Sequence, residues 1–293
     1  MFKRSCALAV LTLLCSGTAH AQMKLVHSER SLVREVLVYD YAGQRCLCFT
    51  RECRLGRQSC EWLNGSHEFT MGYARMMLGA SLYMNPDPRR ILVIGLGAGI
   101  LPTALVKVLP EAQIDVVEID PAVTKVARRF FGFKDNERLR VFEEDGRKYV
   151  KRAAREGKRY DLIMLDAFEH AYIPEHLLTR EFLIEVKSLL APGAVLAANT
   201  FSSSRLYDHE STTYAAVFGQ FYNLRHDNRI ILVRPDGLPE AAIIAARAVQ
   251  LHPVLKPYGV EADLPDLFNR KPDWDTKARV LTDQYSPANL LNQ

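Results

Sequence analysis

From residue 91 onward the chain alternates short apolar runs with amphipathic ones, and that alternation leaves few folds open to it. Residues 91–94, 114–119, 139–142 and 162–165 read as strands, the last apolar on both faces as a covered parallel sheet requires. Between them lie helical stretches at 100–109, from Pro121 onward, and at 146–156, with Pro121 suited to a first helical turn. Thr179 caps a helix to Leu190, and Pro192-Gly193 turns into a strand at 194–199. Residues 208–220 read as helical, and 222–226 with 229–233 form a hairpin around Asp227-Asn228. The fold class is therefore α/β, a Rossmann-like, doubly wound, mostly parallel sheet whose ligand sits beyond the carboxyl ends of the strands.

Ahead of this unit, residues 33–39, 45–50 and 58–63 read as short strands of a small β-module, closed by the turn signal Asn64-Gly65. Residues 67–84 then turn helical, with Met71, Met76, Met77, Leu78 and Tyr83 as core packing, until Asn85-Pro86-Asp87-Pro88 breaks the helix. The start of the chain has another character. Lys3 and Arg4 precede an apolar run at 6–15, and Ala19-His20-Ala21 places small residues at the cleavage positions of a secretory signal peptide. The run is too short to span a hydrocarbon layer of about 30 Å. The expected organisation is a signal peptide at 1–21, a β-module at 22–66 and a Rossmann-like transferase domain at 67–293. The product is exported, periplasmic or secreted, with no membrane span after cleavage.

The cysteines agree with export. Cys6 and Cys15 belong to the leader, and Cys46, Cys48, Cys53 and Cys60 cluster in the β-module, where two disulfides are expected in any of three pairings. Their spacing fits no common zinc site. Charge points to no polyanionic partner. The whole chain carries 38 Lys and Arg against 34 acids, and loss of Lys3 and Arg4 halves the excess. The basic stretch from Arg147 to Arg159 has the spacing of one solvated helix face, so no nucleic acid is expected.

The residues that carry chemistry fall at the ligand edge of the sheet. Gly95-Leu96-Gly97-Ala98-Gly99 follows the first strand of the unit and leads into a helix, so that backbone N–H groups can approach a ligand. Glu118 ends the second strand, where a carboxylate can grip both ribose hydroxyls. Asp145-Gly146 follows the third, where Asp145 can accept from an adenine amino group. Gly95, Gly97, Gly99, Glu118, Asp145 and Gly146 together point to an adenosyl ligand. Asp166 ends the fourth strand, where a helix or loop cap is the bland alternative to catalysis.

This combination resembles the class I S-adenosylmethionine-dependent transferases and, within them, the spermidine synthases (polyamine aminopropyltransferases). The resemblance runs from Tyr73 through 91–99, 117–121, 144–146 and 160–166, and 281–287 is similar to the tail of a divergent branch. It implies transfer of an aminopropyl group from decarboxylated S-adenosylmethionine to a small-molecule amine, without a metal. Asp166 would be the general base, Tyr73 a substrate-pocket residue, and Glu169 would stand for the family's second loop aspartate. It also implies a homodimer. Some positions depart from the family. Ala98 replaces the aspartate that holds the donor's amine, and Ala74-Arg75 replaces His-Glu after Tyr73. These leave two alternatives: methyl or other group transfer from intact S-adenosylmethionine, or a non-catalytic polyamine or nucleoside-binding protein. His170 and His176, six apart with Pro174 between, read as parts of a lid loop rather than metal ligands.

Overall fold

The computed structural model describes residues 23–31, 33–53, 56–167, 173–201, 205–226 and 228–291. The leader at 1–21, and with it the expected cleavage, lies outside them, as do Glu169 and His170. Two sheets organise the chain. The first is antiparallel and four-stranded, in the order β1 (Lys24–Arg30), β2 (Glu35–Tyr41), β3 (Gln44–Cys48) and β4 (Arg57–Trp62). The strand β1 goes beyond the sequence reading; its exposed-to-intermediate residues give no apolar alternation to find it by. The cysteines pair as Cys46–Cys60, directly opposite across β3 and β4, and Cys48–Cys53.

After α1 (Gly72–Met84) come β5 (Arg90–Ile94), α2 (Ile100–Val108), β6 (Gln113–Glu118), α3 (Pro121–Phe130), β7 (Leu139–Glu143), α4 (Gly146–Arg155) and β8 (Tyr160–Leu165). The chain continues through α5 (Arg180–Lys187), β9 (Leu190–Phe201), α6 (Leu206–Phe218), β10 (Tyr222–Arg225), β11 (Asn228–Val233) and α7 (Ala241–Leu255). The seven-stranded sheet has the order β10-β11-β9-β8-β5-β6-β7, with β5 to β9 parallel and β11 antiparallel to both its neighbours. Residues of β5 alternate between two cores. Ile91 and Val93 pack with α1, α2 and α7, whereas Leu92 and Ile94 pack with α4, α5 and α6. Burial on both faces is what the unbroken apolar run required.

Two boundaries and one whole helix stand apart from the sequence reading. The helix α1 begins at Gly72, not at 67. Strand β9 begins at Leu190, with Pro192 and Gly193 forming an irregularity inside it: Tyr160 pairs with Leu190, but Leu162 with Val195. Proline has no N–H for the ladder and Gly193 has φ +75°, so the extra residues bulge out and the strand resumes. Helix α7 was not foreseen, because its alanine-rich run carries little polar contrast.

The small sheet packs on the large unit through Val36, Val38 and Leu47, which meet Ala98, Ala122, Val123 and Val126. Ser31 Oγ also donates to Asp120 Oδ2 at 2.6 Å. Strands β6 and β7 lie on one side of β5 and β8 and β9 on the other, so a crevice opens where the order reverses, with β4 along its rim.

Candidate active site

A cavity of about 520 Å³ occupies that crevice, within the size range of small-molecule sites. Its floor is the turn after β5. Gly95 donates to the Val117 carbonyl at 2.8 Å, and the Asp166 N–H donates to the Ile94 carbonyl at 2.8 Å, which seats the glycine turn against the end of β8. Gly95 has φ +102°, and a Cβ there would stand 2.2 Å from the Asp166 carbonyl oxygen. Only glycine permits this approach. Gly97 lies against Ser59 of β4, whose Cβ would stand 3.4 Å from a Cβ at Gly97, and both residues line the cavity.

Glu118 ends β6 with 9% exposure. Its Oε2 accepts from the Leu96 N–H at 3.0 Å and its Oε1 from the Asp120 N–H at 2.9 Å. Burial raises its pKa, and the two backbone donors oppose that rise. Each carboxylate oxygen keeps a second lone pair for a ligand. Asp145 caps α4, accepting from the Lys148 N–H at 2.9 Å through Oδ1, while Oδ2 lies 2.7 Å from His176 Nε2. The His176 hydrogen bond is the largest influence on Asp145 and holds its carboxyl below the usual range. Ile119, half exposed beside Glu118, supplies an apolar wall.

Asp166 lies at the opposite end of the cavity. Burial pushes its pKa up to about 7, against a hydrogen bond from Asn199 Nδ2 to Oδ1 at 2.8 Å. Asn228 Nδ2 in turn donates to Asn199 Oδ1 at 3.1 Å. Tyr73, in the first turn of α1, lines the same end and donates to the Gln58 carbonyl at 3.1 Å. Burial and the neighbouring Asp166 charge both raise its pKa, so the phenol stays neutral. Glu210 has a carboxyl also pushed up to about 7, but it lies outside the cavity, within 3.6 Å of the buried Arg229. Of the two, only Asp166 faces space that a substrate can enter.

The structure thus gathers Gly95, Gly97, Glu118, Asp145, Gly146, Asp166 and Tyr73 around one cavity. Gly99 is a correction. It does not line the cavity but caps α2 at φ +75°, where a Cβ would lie 2.4 Å from the Phe133 ring. Ala98 is fully buried against the small sheet and faces away from the cavity. Sequence reasoning missed Asn199, Asn228, Gln58, Ser59 and Arg34. Asn199 carried a signal, because it ends an apolar strand run as Asp166 does. Arg34, stacked over Phe49 at 4.3 Å and close enough to influence Glu118, carried none. Among the described residues no group of three His, Cys, Asp or Glu could hold a metal ion.

Fold and cavity define a class: a Rossmann-like transferase with a nucleoside-type site at its topological switch point. The chain belongs to the spermine/spermidine synthase family, whose "Spermine/spermidine synthase domain" matches residues 70–234. It is 45% identical over 289 residues to a polyamine aminopropyltransferase of Vibrio vulnificus, covering 97% of this chain and 96% of that protein. Among solved structures, human methyltransferase-like protein 13 in complex with SAH superposes with a TM-score of 0.58 at 27% identity, over 75% of this chain and 100% of that one. A probable spermidine synthase from Corynebacterium glutamicum shares the fold, with a TM-score of 0.62 at 20% identity, over 76% of this chain and 86% of that one.

Proposed function

We propose that this protein is an exported aminopropyltransferase acting on a small amine, with Asp166 as its general base. The observation that carries the reading is Asp166 itself, a carboxyl held near neutrality at the end of a parallel strand, lining the cavity beside the glycine turn. Decarboxylated S-adenosylmethionine suits the other end. Glu118 offers free lone pairs to ribose hydroxyls, Asp145 faces the place of the base, and the glycine turn leaves room for the nucleoside. Bound there, the donor would supply a carbon beside a sulfonium, and a neutral thioether leaves without general acid help.

The chain's residues must deliver the amine unprotonated. Ionised Asp166 attracts the substrate ammonium and takes a proton from it; the nitrogen lone pair then forms the new C–N bond as the C–S bond breaks. Tyr73, a neutral phenol fixed on the Gln58 carbonyl, shapes the wall beside that nitrogen. Glu169 is assigned here to help hold the amine. Residues 67–293 form the transferase unit, and residues 22–66 supply Gln58 and Ser59 to its rim. Export by the leader at 1–21 agrees with the two disulfides, which belong to oxidising compartments. Among the described residues no helix is long and apolar enough to cross a membrane.

One observation favours a second reading. The likeness to human methyltransferase-like protein 13 in complex with SAH, at 27% identity and a TM-score of 0.58, supports methyl transfer from intact S-adenosylmethionine as the alternative. Mass spectrometry of products from the mature protein, given each donor and a panel of amines, decides the matter. Methylthioadenosine with an amine lengthened by aminopropyl is the expected result. S-adenosylhomocysteine with a methylated product would replace the first reading by the second, and an unchanged donor throughout would overturn both.

A further inference from the structure

Three cavity residues form a directed chain that the reaction outlined above does not yet use. Leu165 pairs with Ala198 in the parallel register of β8 and β9, so the next residues, Asp166 and Asn199, leave the sheet side by side. Ile230 of β11 pairs with Asn199 from the other side, which brings Asn228 into reach. All three residues line the cavity, and Asn199 is only 7% exposed. Asn228 Nδ2 donates to Asn199 Oδ1 at 3.1 Å, and Asn199 Nδ2 donates to Asp166 Oδ1 at 2.8 Å.

Chemistry fixes the direction. An ionised carboxylate can only accept, so Asn199 must turn its NH₂ to Asp166 and its carbonyl to Asn228, whose NH₂ must face back. We propose that Asn228 and Asn199 are positioning residues for Asp166, a relay of two amides that occupies Oδ1 and leaves Oδ2 as the atom that takes the substrate's proton. Among the described residues no other group donates to the Asp166 side chain. After transfer the proton sits on Oδ2 while Oδ1 still accepts from Asn199, so neither amide has to turn. The relay also sets the pH at which the base is ready. A donor to the ionised form opposes the upward push of burial, and without it Asp166 would hold its proton to higher pH.

The inference deepens the assignment of Asp166 as base, and the two are tested by different signals. The Asp166 carboxyl is titrated by carbon NMR in protein labelled at aspartate, its resonance identified by its loss in Asp166→Asn. The rate of amine consumption is followed against pH in parallel. Asn199→Ala is expected to raise the Asp166 midpoint by about one pH unit. It should move the acid limb of kcat by the same amount, with turnover largely recovered at high pH. Asn228→Ala should move both in the same direction by about half as much, and it carries the test if Asn199→Ala does not fold. An Asp166 midpoint unchanged in the folded variants overturns the relay, whatever happens to turnover. A wild type that consumes no amine, with the midpoint shifts intact, overturns the base assignment and leaves the relay standing.

Discussion

The two ends of the cavity hold their carboxylates in opposite ways. At the ends of β6 and β7, Glu118 and Asp145 have both oxygens engaged, by backbone N–H groups at Glu118 and by a helix cap and His176 at Asp145. At the end of β8, Asp166 receives one hydrogen bond among the described residues, on Oδ1 alone. A carboxylate tied at both oxygens is a fixed acceptor, suited to recognising hydroxyl and amino hydrogens without moving. One left partly unsatisfied in a low-dielectric wall has its pKa carried toward neutrality, which suits a group that must gain and lose a proton. On the proposed reading, carboxylates bind at one end and react at the other, and the difference lies in how many donors each receives.

Asp166→Asn should break the contrast most severely. Turnover is expected to fall by about 10²–10⁴, the span of a lost general base, while donor affinity measured by calorimetry stays within about threefold of wild type. An equal loss of affinity would mean that the two ends are not separate. Glu118→Gln tests the other end. Replacing one acceptor by an NH₂ faces a backbone N–H with a donor, and the donor KM should rise about 10–50-fold with a smaller change in kcat.

A smaller effect sharpens the comparison through stability. The folded Asp166 titrates at about 7, against about 4 in an unfolded chain, so the native state holds an extra proton between those values. Stability contributed by that proton is full below pH 4 and is lost as pH rises through 7. Asp166→Asn, which never ionises, should therefore be more stable than the wild type at pH 8 by about 1–3 kcal/mol and equal to it at pH 4, as urea unfolding at the two pH values would read.

Much of the site was legible because strand ends are legible. Glu118 and Asp166 each close an apolar run, and a parallel sheet sends such residues to one edge. Asn199 obeys the same rule but does not stand out, since an amide bears no charge of its own to suggest chemistry. Asp145 was legible as a residue and not as an environment: its partner His176 is 31 positions away, brought back by the turn before α5. Gly99 looked like Gly95 and Gly97, yet its local task is to start α2 against Phe133. Strand β1 and helix α7 escaped because neither has the contrast between faces that periodicity needs.

Hydrophobic order along the chain, read alone, determined the alternation of strand and helix, the glycine turn, and the acids that follow particular strands, because each depends on neighbours a few residues apart. Tertiary structure decided which cysteines pair, that Ala98 turns into the seam between the two sheets, and that Gln58 and Ser59 wall the cavity. It also decided that an asparagine from an antiparallel strand completes the line to Asp166. Most of those outcomes depend on which surfaces meet after the chain has closed over long loops; the cysteine partners lie only 14 and 5 residues apart, yet spacing alone does not choose among their three pairings.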